Sequence, residues 1–146
     1  MACSTIDNVI LLSIYPEYAS AIIRGDKKVE FRKASICTNA SHVLVYATSP
    51  HMRIVGFFEV RQVHRLSPQT LWRRFGKLGV IDEDDFFKYF EGHAEAIGLE
   101  VGKVWRFEKP LPLQSVRRGM KPPQAFSYVS PEVWRRLKRY SVQPVS

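Results

Sequence analysis

Lys27, Glu30 and Arg32 bring a cation, an anion and a cation together within the stretch Gly25-Asp26-Lys27-Lys28-Val29-Glu30-Phe31-Arg32. A carboxylate placed between them can accept from an exocyclic amine or orient the lysine. An arginine fork can hold a phosphate or carbonyl oxygen in a bidentate manner. With period two, Val29 and Phe31 point one way, and Lys28, Glu30 and Arg32 point the other. Lining a cleft, such a front holds a polar or phosphorylated ligand. Facing bulk water, the same residues make an ordinary charged strand whose pairs contribute about 0–1 kcal/mol. Tyr15, Tyr18 and Tyr46 are candidate stackers or hydroxyl donors, with core packing as their other and commoner use.

A second group of candidates lies late in the chain. In Pro122-Pro123-Gln124-Ala125-Phe126-Ser127-Tyr128, Gln124 can read a base edge while Phe126 or Tyr128 stacks; the alternative is a rigid crossing with Phe126 as a plug. Lys121, Arg117 and Arg118 precede it as backbone-holding cations. From Arg117 to Tyr140 seven cations face one acid, Glu132, and Arg135, Arg136 and Arg139 cluster in the last part. From Asp82 to Glu100 seven acids face Lys88 alone. Seen with a net charge of +8 and a pI near 9.7, this separation points to directed contact with a polyanion. A solvated basic helix is the plainer alternative.

The elements that must carry these residues are legible from turn chemistry and period. Val9 to Ile14 is an apolar run broken only by Ser13, as in a central strand. Pro16 to Arg24 reads as a helix, opened by proline and closed by Gly25. Strands follow at 29–32, 42–47 and 53–64, the last with Phe58, Val60 and Gln62 opposite Phe57, Glu59, Arg61 and Val63, and a loop over 33–41. Ser67-Pro68 opens a helix holding Leu71, Trp72 and Phe75, and Asp82 caps a second with Phe86, Phe87 and Phe90. Strand character returns over 94–107, a proline-punctuated connection covers 108–126, and Ser130-Pro131-Glu132 starts a final helix. Trp72, Trp105 and Trp134 suit the core.

The spacing Gly25-x-Lys27-x-x-Glu30-x-Arg32, directly after a helix, resembles the G-x-K-x-x-E-x-R signature of the ASCH domains, a branch of the PUA-like superfamily. The resemblance extends to the strands at 43–47 and 54–60 and to the segment 122–126, so it covers nearly the whole chain. It implies an α+β fold, a small PUA-like β-barrel or a curved antiparallel sheet with flanking helices, and the chain's length with no dividing linker sets the expectation of one domain over 1–146. It also implies a cleft that holds nucleic acid or a modified base, RNA in preference to DNA. On alternation Lys28 shares the face of Glu30 and Arg32, whereas the signature selects Lys27; a bulge, or Lys27 reaching in from the turn, reconciles them.

The same family includes amidohydrolases acting on N4-acetylcytidine and proteins described as ribonucleases. The motif lysine is catalytic in the former, which makes Lys27, with Glu30, the catalytic pair of an alternative, hydrolytic reading. Those enzymes carry a threonine where this chain has Glu30, and a second glutamate to which Glu91 or Glu95 is nearest by order. That departure favours the binding reading. A ribonuclease reading adds Ser127 or Tyr128 beside Lys27 and Arg32. A third reading is a regulatory module meeting a protein partner through the acidic 82–100 flank.

With 45% apolar and 12% aromatic residues, the 146-residue chain reads as a folded domain, long enough to bury about 70% of its unfolded surface. Cys3 and Cys37 form no metal or disulfide framework, and His42, His51, His64 and His93 share no ligand spacing, so neither a metal nor a cofactor is expected. The absence of an apolar leader or span sets the expectation of a cytoplasmic protein without membrane contact.

Overall fold

The computed structural model describes residues 7–34, 36 and 39–142. Strand β1 (Val9–Ile14) leads into helix α1 (Pro16–Arg24), which has proline in its first turn. The helix stops at Gly25, whose φ of 88° lies in the left-handed region that favours glycine. The amides of Asp26 and Lys27 then both donate to the carbonyl of Ala21, at 2.9 and 3.0 Å, wrapping the chain around the helix end. Strand β2 (Val29–Lys33) begins only after this wrap. Lys27 therefore belongs to the turn.

Strands β3 (His42–Ala47) and β4 (Arg53–Leu66) follow, then helices α2 (Pro68–Phe75) and α3 (Glu83–Tyr89), strand β5 (Ala96–Leu111), strand β6 (Ser127–Val129) and helix α4 (Pro131–Lys138). Ser67 and Ser130 cap α2 and α4 as their sequences suggest, accepting from the amides of Thr70 and Val133 at 3.2 and 3.3 Å. Asp82 occupies the corresponding position of α3, but its side chain makes no capping bond. Cys3, Cys37 and part of the loop expected over 33–41 fall outside the described residues.

The strands form one sheet in the order β2-β5-β4-β3-β1-β6. Of the two forms expected, it is the open sheet: β2 and β6 are its edges, and no ladder among the described residues closes it into a barrel. Four of its five pairings are antiparallel. The fifth, β1 with β3, is parallel, because α1 and β2 lie between them in the chain and form the crossover that parallel neighbours need.

Alternation along β1 divides the core. Ile10, Leu12 and Ile14 pack with Ala19 and Ile22 of α1 on one face, while Val9 and Leu11 pack with Trp134 and Leu137 of α4 on the other. A third cluster joins Val29 and Phe31 of β2 to Leu71 of α2 and to Phe86 and Phe90 of α3 and its end. The alternation expected for β4 fails after Val60. Register shifts between Phe58 and Gln62 re-phase the strand, so Val63 turns toward the α1-side core and Gln62 is exposed. β5 also runs past the expected end at 107 and takes in Pro110. β2 pairs only with Ala96 to Glu100, so no β2 ladder needs an amide at that proline.

Candidate functional site

Glu30 pairs with Leu99 and Arg32 with Ile97 across the β2–β5 ladder, so both point to the α1 side of the sheet. Phe31 points to the α3 side. Where α1, the end of β2, α3 and the segment 122–125 meet, they enclose a cleft of about 750 Å³. Lys27, Glu30, Arg32, Tyr15, Tyr18, Tyr89 and Gln124 are among the residues lining it.

The charged residues form a chain at its base. Glu30 Oε1 is 3.7 Å from Lys27 Nζ, and Glu30 Oε2 is 3.2 Å from Arg32 Nη1. Lys27 is 2% exposed and Glu30 5% exposed, which is rare for charged groups unless they are paired. Lys27 Nζ also donates to the carbonyl of Gly79 and stands 4.9 Å from the Tyr18 ring centroid and 5.3 Å from that of Phe31. Burial lowers the Lys27 pKa from its ordinary value, while the Glu30 carboxylate and its hydrogen bond act in the opposite sense. Arg32 donates to the carbonyls of Ser13 at 3.2 Å and Ala125 at 3.3 Å. Ser13 Oγ donates to the Pro123 carbonyl at 2.8 Å. These bonds hold the proline segment against the mouth of the cleft.

Tyrosines form much of the rim. Tyr15 is 67% exposed, and its ring centroid is 6.4 Å from that of Tyr18. Tyr89 lies under Lys33, whose Nζ is 4.7 Å from the ring centroid. Burial raises the pKa of both Tyr18 and Tyr89; Glu17 adds to the effect at Tyr18, and Arg32 opposes it at Tyr89.

Other sequence candidates lie elsewhere. Lys28 is exposed and does not line the cleft, because Lys27 reaches in from the turn before the strand's alternation begins. Tyr46 is 2% exposed and packs in the α4-side core, since alternation places it with Leu44 and not with Val45. Arg117, Arg118 and Lys121 are exposed on the connection leading to the cleft's proline wall. Arg135 on α4 and Arg139 just past its end are exposed, on the other face of the sheet, and Arg136 donates to the Ser115 carbonyl. Glu91 is exposed, and Glu95 pairs with Arg65 at 3.1 Å; neither lines the cleft. Tyr89 and Asp85 line the cleft but were not among the sequence candidates. Their spacing of four, beside the inward pair Phe86 and Phe90, was the available signal.

Among the described residues no group of three or more His, Cys, Asp or Glu could hold a metal ion. No described helix is long and apolar enough to cross a membrane.

The ASCH domain family model matches residues 12–110. The ASCH domain-containing ribonuclease of Zymomonas mobilis is 28% identical over 134 residues, 87% of this chain and 88% of that protein. The crystal structure of ASCH from Zymomonas mobilis is similar with a TM-score of 0.85 and 29% identity, covering 92% of this chain and 96% of that one. The N-terminal domain of Staphylothermus marinus McrB has a TM-score of 0.55 at 13% identity, over 90% of this chain and 93% of that one, a likeness of fold alone. With the family model matched over more than half its length, and a relative similar across nearly the whole fold, this chain belongs to the ASCH domain family.

Proposed function

We propose that the cleft receives one unstacked base of a single-stranded RNA. The observation that carries this reading is the cleft's balance of charge and aromatic surface. Its lining holds Lys27, Arg32 and Lys33 against Glu17, Glu30 and Asp85, so the charges cancel. A phosphate site needs a surplus of donors, yet the Arg32 guanidinium already serves Glu30 and two carbonyls. A base needs ring faces on which to stack and a few donors and acceptors for its edge. Tyr15, Tyr18 and Tyr89 provide the first, and Glu30, Thr48 and Gln124 the second. Phosphates fall to exposed cations outside the cleft, among them Lys121, which directly precedes the proline wall. The name of the Zymomonas relative, a ribonuclease, favours RNA over DNA as the ligand.

Hydrolysis at the same cleft is the second reading, and one observation favours it. A desolvated lysine beside a carboxylate keeps more of its amine unprotonated, the form that serves as base or nucleophile. A single experiment separates the two. The protein is incubated with nucleosides, N4-acetylcytidine, and RNA and DNA oligomers, following both complex formation and turnover, and the series is repeated with Lys27→Ala. Saturable binding of single-stranded RNA, weakened in the variant and without turnover, is the expected result. Turnover that vanishes in the variant replaces it with the hydrolase. Failure to bind any single-stranded RNA removes the binding reading.

A further inference from the structure

We propose that a second groove beside the cleft is the subsite for the nucleotide adjoining the bound base, holding its phosphate and ribose. This rests on the base-binding reading above. The groove measures about 310 Å³, with Ile23, Val55 and Pro110 among its apolar lining and Ser20, Arg24, His51 and Arg53 as its polar members. Its residues include two arginines and no acid, whereas the charges of the cleft cancel.

The two concavities are neighbours. Tyr15 lines the cleft and Pro16 the groove; Thr48 lines the cleft and Ala47 the groove. The divide is therefore the paired ends of β1 and β3, where Ile14 stands opposite Ala47. A strand with one base stacked at Tyr15 passes directly over this divide. Beyond it the strand meets an apolar surface beneath cations, the combination that tracks a single-stranded backbone.

The turn that carries His51 and leads into Arg53 is held in shape at a cost. The Thr48 carbonyl accepts from the amides of His51 at 3.1 Å and Met52 at 3.4 Å, and Met52 adopts a φ of 52°. A residue with a side chain adopts that left-handed conformation only when the surroundings impose it, and such positions concentrate at functional sites. Here the conformation sets His51 and Arg53 on either side of Met52, both against the groove. Among the described residues the Arg53 guanidinium has one hydrogen bond, to the Met52 carbonyl at 2.9 Å, leaving most of its five donors for a phosphate. Arg24 is more committed, with Nε 3.0 Å from Asp26 and Nη1 2.7 Å from Ser20 Oγ, so Arg53 is the principal contact.

The test titrates the protein with adenosine, with its dinucleoside monophosphate and with the tetranucleotide, and then with the uridine series. The second nucleotide should raise affinity about tenfold or more, as one charge-assisted phosphate contact does. Combining Arg53→Ala with His51→Ala should bring the dinucleotide down to the level of the nucleoside. It should also lower the salt slope of the tetranucleotide by about 0.7 for each phosphate no longer neutralised, and leave nucleoside affinity unchanged. Both residues are exposed, so the fold is retained, and Arg53→Lys should restore part of the gain. A length-dependent gain that persists in the double variant overturns the subsite. So does a parent protein that binds nucleoside and dinucleotide equally, an outcome that leaves the base cleft standing. No binding at any length overturns both.

Discussion

The carbonyl oxygen of Gly79 accepts a hydrogen bond from the buried ammonium of Lys27, tying the motif turn to the connection between α2 and α3. Lys28 reinforces the tie, donating its amide to the Leu78 carbonyl at 2.8 Å. The cleft's charged base thus depends on the helical pair as well as on β2.

Gly79 has no room for a side chain. A Cβ there would stand 2.1 Å from Phe31 Cε2, inside the cluster that joins β2 to α3. Gly79→Ala is expected to destabilise the protein by about 1–3 kcal/mol, the usual cost of overpacking. Because the acceptor of Lys27 moves with it, ligand affinity should fall too. Denaturant midpoints and RNA titrations on the same samples measure both effects.

Arg32 joins the strand to the proline wall. Arg32→Lys keeps the charge but cannot reach Glu30, the Ser13 carbonyl and the Ala125 carbonyl with one planar fork. The expected outcome is faster amide exchange over residues 122–126 and affinity lower by about 1–3 kcal/mol, as for loss of charged hydrogen bonds. Unchanged exchange would mean that the wall is held by other interactions.

Cations on α4 and at its end lie across the sheet from the cleft. Neutralising Arg135 and Arg139 should leave the affinity for a nucleoside unchanged. With RNA long enough to reach that face, the salt slope should fall by about 0.7 for each phosphate that these arginines neutralise. Parallel salt titrations with a nucleoside and a long oligomer distinguish this from a general loss of folding.

His42 gives the protein a pH-dependent stability. Burial lowers its pKa from 6.5, with Asp7 and Glu59 acting against the shift and Lys138 adding to it. The unfolded chain then binds the proton at a pH where the folded chain does not. Stability is thus fully present above about 6.5 and declines as the pH falls toward the lowered folded value. The imidazole sits among Phe57, Trp105 and Trp134, the last with ring centroids 5.0 Å away. Urea unfolding at pH 7.5 and 5.5 should show the decline, and His42→Gln should reduce it.

Local chemistry was legible in the sequence. Pro16 and Gly25 marked both ends of α1, and Ser67 and Ser130 marked two helix starts, because caps and left-handed turns are decided within a few residues. The motif spacing led to the family and to Lys27, Glu30 and Arg32 as a group for the same reason: these residues are close in the chain. What lay opposite them was not legible. Gly79, the partner of Lys27, is 52 residues away, and Ala125, the partner of Arg32, is 93. Tyr89 on the far wall comes from a separate helix. Alternation showed that Tyr46 had two faces to choose from, but not which core would claim it; the packing of α4 decided that. Likewise the basic residues of 117–139 form one stretch in sequence, yet Val116 and Met120, which flank Arg117 and Arg118, pack in the α4-side core, while Lys121 leads into the cleft's proline wall. A charge pattern records how many cations there are, whereas their common action depends on which side of a sheet each helix covers, and that is set by long-range burial.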